Sequence, residues 1–311
     1  MRVLVTGAKG MLGAALLSCL ENQHTVVGAD FNDFDICQEA AVQNAFRDIR
    51  PEFVFHLAAY TDVDGCEANP QRANEVNAQG TCNVACACEE VGAVLAYISS
   101  DYVFDGRLGR PYREDDVPNP VSVYGHSKLA GERYVQSRLA RHFIVRTSWL
   151  YGPHGKNFVA TILRIAKDRG EIRVVDDQRG SPTYTGHLAQ KLAQILTVQA
   201  YGTYHATAAG NCSWFEFAQA ILSMGGLEGV RTLPISTAEC GRPARRPANS
   251  VLENRRLAES GVGSLPHWKE GLAHYLREGQ QLGEFVLPRA DAREQLVQGR
   301  PLPKELAREA D

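Results

Sequence analysis

Arg2-Val3-Leu4-Val5-Thr6-Gly7-Ala8-Lys9-Gly10-Met11-Leu12-Gly13 opens the chain, and the reading of this stretch decides the fold. After Arg2 the residues are apolar or β-branched up to Thr6, the composition of a short buried strand. The glycines that follow are spaced G-x-x-G-x-x-G. They permit a tight turn and let backbone amides approach a pyrophosphate, which then sits on the positive end of the helix predicted through Leu20. A glycine triplet alone is weak evidence. Here it stands between a strand and a helix, and a second strand, Thr25-Val26-Val27-Gly28-Ala29, ends at Asp30; that context makes it a dinucleotide signal.

Working outward, strands and helices alternate. A helix is predicted over Glu39 to Arg50, then a strand Phe53-Val54-Phe55-His56-Leu57 and a turn Ala58-Ala59-Tyr60-Thr61-Asp62, whose small residues leave room for the adenosine side of a cofactor. A helix from about Pro70 to Val91 leads into the strand Val94-Leu95-Ala96-Tyr97-Ile98, and Phe143-Ile144-Val145-Arg146 supplies another. The alternation predicts an α/β fold with a Rossmann-like, doubly wound parallel sheet. Beyond residue 150 the pattern loosens: Phe158 to Lys167 and His187 to Leu196 read as helices, and Ser213-Trp214-Phe215-Glu216 has capping-box spacing ahead of an amphipathic stretch to Leu222.

Composition narrows the function classes. The chain has 311 residues, 44% hydrophobic and 22% charged, and a net charge of -3; there is no basic excess to hold nucleic acid or an anionic membrane. The apolar start is too short for a signal peptide and no run is long enough to span a bilayer, so a cytoplasmic protein is expected. The eight cysteines read as reduced thiols. Cys82 and Cys86 share a helix face but Cys88 points elsewhere, with no histidine to complete a tetrahedral site, so no metal is expected. His56 reads as a core histidine, and Asp62, Asp64 and Glu67 as structural or solvated carboxylates near a helix start.

The chemistry is carried by Tyr124 and Lys128. Four residues apart on a helix, they share one face, and an ammonium one turn from a phenol favours the phenolate, so the phenol can release and regain a proton nearer neutral pH. Carbonyl reduction needs such a group. Upstream, Ser99-Ser100-Asp101 closes a strand, which puts hydroxyls at the carboxyl end of the sheet, where open α/β folds bind ligands. Asp30 is placed to accept hydrogen bonds from an adenosine ribose and to repel a 2′-phosphate, which leans towards NADH; Lys9 in the glycine loop pulls towards NADPH.

Together the opening T-G-x-x-G-x-x-G, the Y-x-x-x-K pair and the preceding hydroxyls resemble the extended short-chain dehydrogenase/reductases. More narrowly, Ser99-Ser100-Asp101-Tyr102-Val103-Phe104-Asp105-Gly106, Val123-Tyr124-Gly125-His126-Ser127-Lys128-Leu129-Ala130-Gly131-Glu132 and Arg146-Thr147-Ser148-Trp149-Leu150-Tyr151-Gly152 resemble the dTDP-4-dehydrorhamnose reductase family. Asp177-Gln178-Arg179-Gly180-Ser181-Pro182-Thr183 and Arg246-Pro247-Ala248-Asn249-Ser250-Val251-Leu252 fit it further on.

The resemblance, in register to about residue 280, implies reduction of the 4-keto group of dTDP-6-deoxy-L-lyxo-4-hexulose by NADH or NADPH to dTDP-L-rhamnose. It implies Tyr124 as proton donor, Lys128 as the group that lowers its pKa and holds the nicotinamide ribose, and Ser100, where the family usually has threonine, as hydrogen-bond donor to the substrate carbonyl. Cofactor contacts are implied at Gly7, Gly10, Met11, Leu12, Gly13, Asp30, Asp35, Ile36, Ala59, Tyr60 and Thr61 as well as at Tyr124 and Lys128. The dTDP-deoxysugar would touch Ser100, Asp101, Trp149, whose indole offers a flat apolar face to a pyranose or else lies in the core or a lid, and Arg246. Arg242, Arg245 and Arg246 either meet the pyrophosphate or are solvated. The implied organisation is a dinucleotide-binding domain over 1–150, a sugar-nucleotide part over 151–282 with some segments returning to the first, and a charged tail over 283–311 of no assigned function. A monomer and a homodimer both remain open. Two other classes stay in view: a non-catalytic relative resembling the β-subunit of methionine adenosyltransferase, and a nucleotide-sugar epimerase.

Overall fold

The computed structural model describes residues 1–283 and 285; apart from Gly283 and Phe285, the tail lies outside the described residues. The first half runs β1 (Arg2–Thr6), α1 (Met11–Leu20), β2 (Thr25–Ala29), α2 (Glu39–Ile49), β3 (Phe53–His56), α3 (Val63–Ala68), α4 (Pro70–Asn74), α5 (Thr81–Val91), β4 (Val94–Ser100), α6 (Val123–Arg138) and β5 (His142–Thr147). The second half is β6 (Leu150–Tyr151), α7 (Phe158–Asp168), β7 (Glu171–Val175), β8 (Arg179–Gly180), β9 (Thr183–Tyr184), α8 (Thr185–Ile195), β10 (Gly202–His205), β11 (Cys212–Ser213), α9 (Trp214–Met224), β12 (Arg231–Ile235), α10 (Thr237–Cys240), α11 (Arg255–Glu259) and α12 (Trp268–Gln281).

The main sheet has six strands in the order β10-β5-β4-β3-β1-β2, every neighbouring pair parallel. Both faces are covered, which is why its strands read as unbroken apolar runs rather than as alternating ones. Val3, Val5, Phe53, Phe55, Phe143 and Val145 pack against Leu12, Leu16 and Leu20 of α1 and Leu188 and Leu192 of α8. The intervening Leu4, Val54, Leu95, Tyr97 and Ile144 meet Val42 and Phe46 of α2, Val84 and Cys88 of α5 and Val135 of α6. A separate core joins α7, α9 and α12 through Leu163, Phe217, Ile221, Leu272 and Tyr275.

The order reverses at β1, with β2 on one side and β3 on the other. Such a switch leaves a crevice at the carboxyl ends of the strands. The long helix predicted from Pro70 to Val91 is unbroken, but residues Glu75–Gly80 widen into a π-helical turn, a distortion common beside functional sites.

Candidate active site

The glycine loop is built by close approach. Gly7 has φ +71° and a Cβ there would stand 2.7 Å from Ala58 N; one at Gly13 would press on the carbonyl of Gly7. Only glycine fits either position. Gly10 caps α1 without any side-chain hydrogen bond, so the first amides of the helix remain available to an anion. Asp30, at the end of β2, accepts from the backbone amides of Lys9 at 3.0 Å and Phe31 at 2.8 Å, tying the loop to the second strand.

At the carboxyl end of β4, Ser100 Oγ donates to Asp101 Oδ1 at 2.9 Å and accepts from the Tyr102 amide at 3.2 Å. Asp101 is 2% exposed, and its Oδ2 has no hydrogen-bond partner. Burial raises its carboxyl to about 7, so near neutrality a large fraction is protonated.

Helix α6 brings Tyr124 to this strand end. Ser122 caps it by accepting from Gly125 N at 3.1 Å, and a Cβ at Gly125 would strike the carbonyl of Tyr102; the glycine after Tyr124 is what lets α6 lie this close. Ser127 Oγ donates to the Tyr124 carbonyl at 2.8 Å and accepts from Asn77 Nδ2 at 3.0 Å. Asn77 belongs to the π turn, and its amide also pairs with both backbone groups of Tyr60. It thus clamps α6 to the adenosine-side turn. Lys128 Nζ stands 4.2 Å from the centre of the Tyr97 ring.

The electrostatics differ from the sequence expectation. Burial pushes the Tyr124 phenol above its ordinary value, against the nearby Ser100 hydroxyl, and pushes the Lys128 ammonium down to about 7, against Glu132. At Tyr124 desolvation outweighs the hydrogen bond that would lower the phenol. A phenol held neutral is nevertheless the form a proton donor requires.

These groups border one cleft of about 880 Å³. It runs from Gly7, Gly10, Met11, Leu12, Gly13 and Asp30 past Asp35, Ile36, Ala59, Tyr60 and Thr61 to Ser100, Asp101, Tyr124, Lys128 and Trp149. Lys9 also lines it. A dinucleotide fits the residues present: a bare helix start, a carboxylate at the second strand end and a long trough between them.

Arg246 does not line this cleft. Its guanidinium, with that of Arg242, closes on Asp64 at 2.9 and 3.0 Å, and Arg246 also donates to the Ala244 carbonyl. Burial alone would raise the Asp64 carboxyl, but these hydrogen bonds hold it at about 2. Asp64 thus holds one nitrogen of each guanidinium, which positions the loop, while the Arg242 side chain stays 62% exposed. The acidic trio is structural: the exposed Asp62 caps α3 and Glu67 accepts from Val123 N at 2.8 Å. His56 is a core histidine, bonded to Thr6 and Thr81.

The flat face expected of Trp149 is also covered. Trp214 stacks on it with ring centres 3.5 Å apart and planes 6° from parallel. Trp214 lines the cleft and carried no signal in the sequence beyond its place after a helix cap. Asn77 was equally silent, an ordinary polar residue in a helical run.

Among the described residues no His, Cys, Asp and Glu cluster could hold a metal ion, all eight cysteines are unpaired, and no helix is long and apolar enough to cross a membrane.

The family model described as "RmlD substrate binding domain" matches residues 1–281. The chain is 43% identical to a dTDP-4-dehydrorhamnose reductase of Streptomyces griseus, over 87% of its own length and 91% of that protein's. It is 41% identical to the spore coat polysaccharide biosynthesis protein SpsK of Bacillus subtilis, over 89% and 97%. A crystal structure of dTDP-4-dehydrorhamnose reductase from Bacillus anthracis in complex with NADP superposes with a TM-score of 0.87 at 44% identity, covering 89% of this chain and 99% of that one.

Proposed function

This chain belongs to the dTDP-4-dehydrorhamnose reductase family, and from that premise we propose that Tyr124, Lys128 and Ser100 carry the reduction at the strand end where they meet. The reaction is the NAD(P)H-dependent reduction of the 4-keto group of dTDP-6-deoxy-L-lyxo-4-hexulose to dTDP-L-rhamnose. The observation that supports the assignment best is that Ser100, Tyr124 and Lys128 border the same cleft as the glycine loop and Asp30.

When bound, the reduced nicotinamide supplies the hydride. Backbone amides at Met11 to Gly13 would hold its pyrophosphate, Asp30 the adenosine ribose, and Lys128 the nicotinamide ribose. Charge that develops on the carbonyl oxygen is met by the Ser100 hydroxyl and by the proton of Tyr124, which passes from Oη to that oxygen. Asp101, whose buried Oδ2 has no hydrogen-bond partner, would touch the sugar. Residues 1–150 would hold the cofactor and 151–282 would supply most of the sugar-nucleotide contacts. The free thiols and the absence of a basic surplus support a cytoplasmic setting.

Incubation with dTDP-6-deoxy-L-lyxo-4-hexulose and each reduced cofactor tests this. Net oxidation with formation of dTDP-L-rhamnose is expected; isomerised sugar without net oxidation would indicate an epimerase, and binding without turnover a regulatory role. Asp30 should keep NADH within about tenfold of NADPH in kcat/KM, a margin of about 1.4 kcal/mol. A larger preference for NADPH would mean that Lys9 outweighs it.

A further inference from the structure

We propose that Trp214 is a second sugar-contacting residue, which covers Trp149 in the free protein and becomes the opposite wall when the pyranose of the nucleotide sugar enters between the two indoles. This rests on the dTDP-sugar reading of the cleft.

Both faces of Trp149 are taken. Trp214 lies flat on one at 3.5 Å. On the other, a Cβ at Gly180 would meet Cε2 of the indole, with Nε1 and Cζ2 hardly further away at 2.6 and 2.7 Å. Cε2 is a ring-fusion atom set back between Nε1 and Cζ2, so a point beyond the indole edge would lie nearer to one of those two; a point nearest Cε2 lies over the ring. It must be the side away from Trp214, since a point between rings 3.5 Å apart would be nearer still to Trp214. Gly180 is thus the floor beneath Trp149, and no side chain larger than hydrogen fits there.

The two jaws differ in freedom. Trp149 is fixed: its φ is +48°, a conformation that costs an L-residue of this size about 1 to 3 kcal/mol and persists only where the surroundings enforce it. The enforcement is visible, because Thr183 N donates to the Trp149 carbonyl at 3.2 Å and the buried Ser148 donates to the Ser181 carbonyl at 2.7 Å. Trp214 is the first residue of α9, whose start is held by the Ser213 and Glu216 capping box and whose buried face is Phe217, Ala218, Ile221 and Leu222. Its indole is only partly buried, resting on Phe158 with ring centres 4.6 Å apart. Rotation of the Trp214 side chain away from Phe158 and from Phe217, whose ring centre lies 6.4 Å off, would open the pair without moving the helix backbone. Stacked on each other, the two indoles shield the apolar area that the C–H face and methyl group of a deoxysugar would otherwise cover.

The test is calorimetric titration of wild type, Trp214→Leu and Trp214→Phe with dTDP-L-rhamnose, dTDP and NADPH. Trp214→Leu should bind dTDP-L-rhamnose about tenfold more weakly, the order expected for loss of one aromatic face, with dTDP and NADPH within about twofold; Trp214→Phe should recover part of the loss. In wild type labelled with 5-fluorotryptophan, the fluorine resonances of Trp149 and Trp214 should both move on adding dTDP-L-rhamnose and neither with dTDP, while Trp268, buried at 4% exposure, stays. Unchanged or tighter sugar binding by Trp214→Leu would overturn the inference, leaving Trp214 a cover only. Equal loss for dTDP would overturn it by placing the contact on the nucleotide, and equal loss for NADPH by making the residue structural. Failure of wild type to bind dTDP-L-rhamnose at all would instead remove the reading beneath it.

Discussion

Tyr124 and Asp101 are both shifted by burial, and each shift makes a claim that can be measured. Replacing Tyr124 by phenylalanine keeps the ring, its edge contact with Tyr102 at 5.7 Å and the packing of α6, and removes only the transferable proton. General acids contribute about 10² to 10⁴ in rate, so kcat should fall at least about a hundredfold while the NADPH dissociation constant moves less than about threefold; single-turnover kinetics beside a binding titration would check it. For Asp101 the sign follows from linkage. Its folded carboxyl titrates near 7 against an ordinary 3.8, so between about pH 4 and pH 7 the folded protein binds more protons than the unfolded chain, and stability falls as pH rises through that window. Asp101→Asn keeps an acceptor for Ser100 and removes the titration. Its melting temperature should exceed that of wild type at about pH 8 and match it at about pH 4; an equal gain at both would assign the effect to packing rather than charge.

Helix α6 is where short-range pattern and long-range contact meet. Its existence and the placing of Tyr124 and Lys128 on one side were legible, because both follow from spacing along a single element, as were β1, the glycine loop and β4. Its angle to the sheet was not. That depends on Gly125 passing over the Tyr102 carbonyl and on Asn77 reaching Ser127 from a π turn fifty residues earlier. The ion pair of Arg246 was hidden for the same reason: its forked guanidinium was readable, but its partner Asp64 lies 182 residues away. The face of Trp149 was lost to Trp214, which no local signal connects to it. Gly125→Ala puts α6 to the test. Relieving the clash with a backbone carbonyl requires the helix start to shift, at about 1 to 3 kcal/mol of stability, and carries Tyr124 away from Ser100. Denaturant unfolding should show that loss, and kcat should drop at least about tenfold with KM for NADPH nearly unmoved; wild-type kcat with lowered stability would show the active site absorbing the shift.

Asp64 joins the first half of the molecule to the loop around residues 242–246, and its carboxyl, held at about 2 by the arginines, stabilises the fold above the ordinary carboxylate range and ceases to do so as pH falls towards 2. Asp64→Asn should lower the melting temperature at neutral pH, by an amount that shrinks on acidification through about pH 4 to 2; a constant deficit would mean that geometry rather than charge holds the loop. The other long connection is β10, which returns after the small strands and α8 to lie beside β5, Tyr204 opposite Val145. During synthesis, β5 emerges with one edge open and waits for residues 202–205 before its ladder is complete, and α1 waits for α8 to cover Leu12 and Leu16. A chain ending after residue 150 would therefore carry a sheet with a bare apolar flank and an open strand edge, a template for its neighbours. Fusions or split-protein reconstitutions cut at that point should aggregate, and light scattering of the excised half would check it.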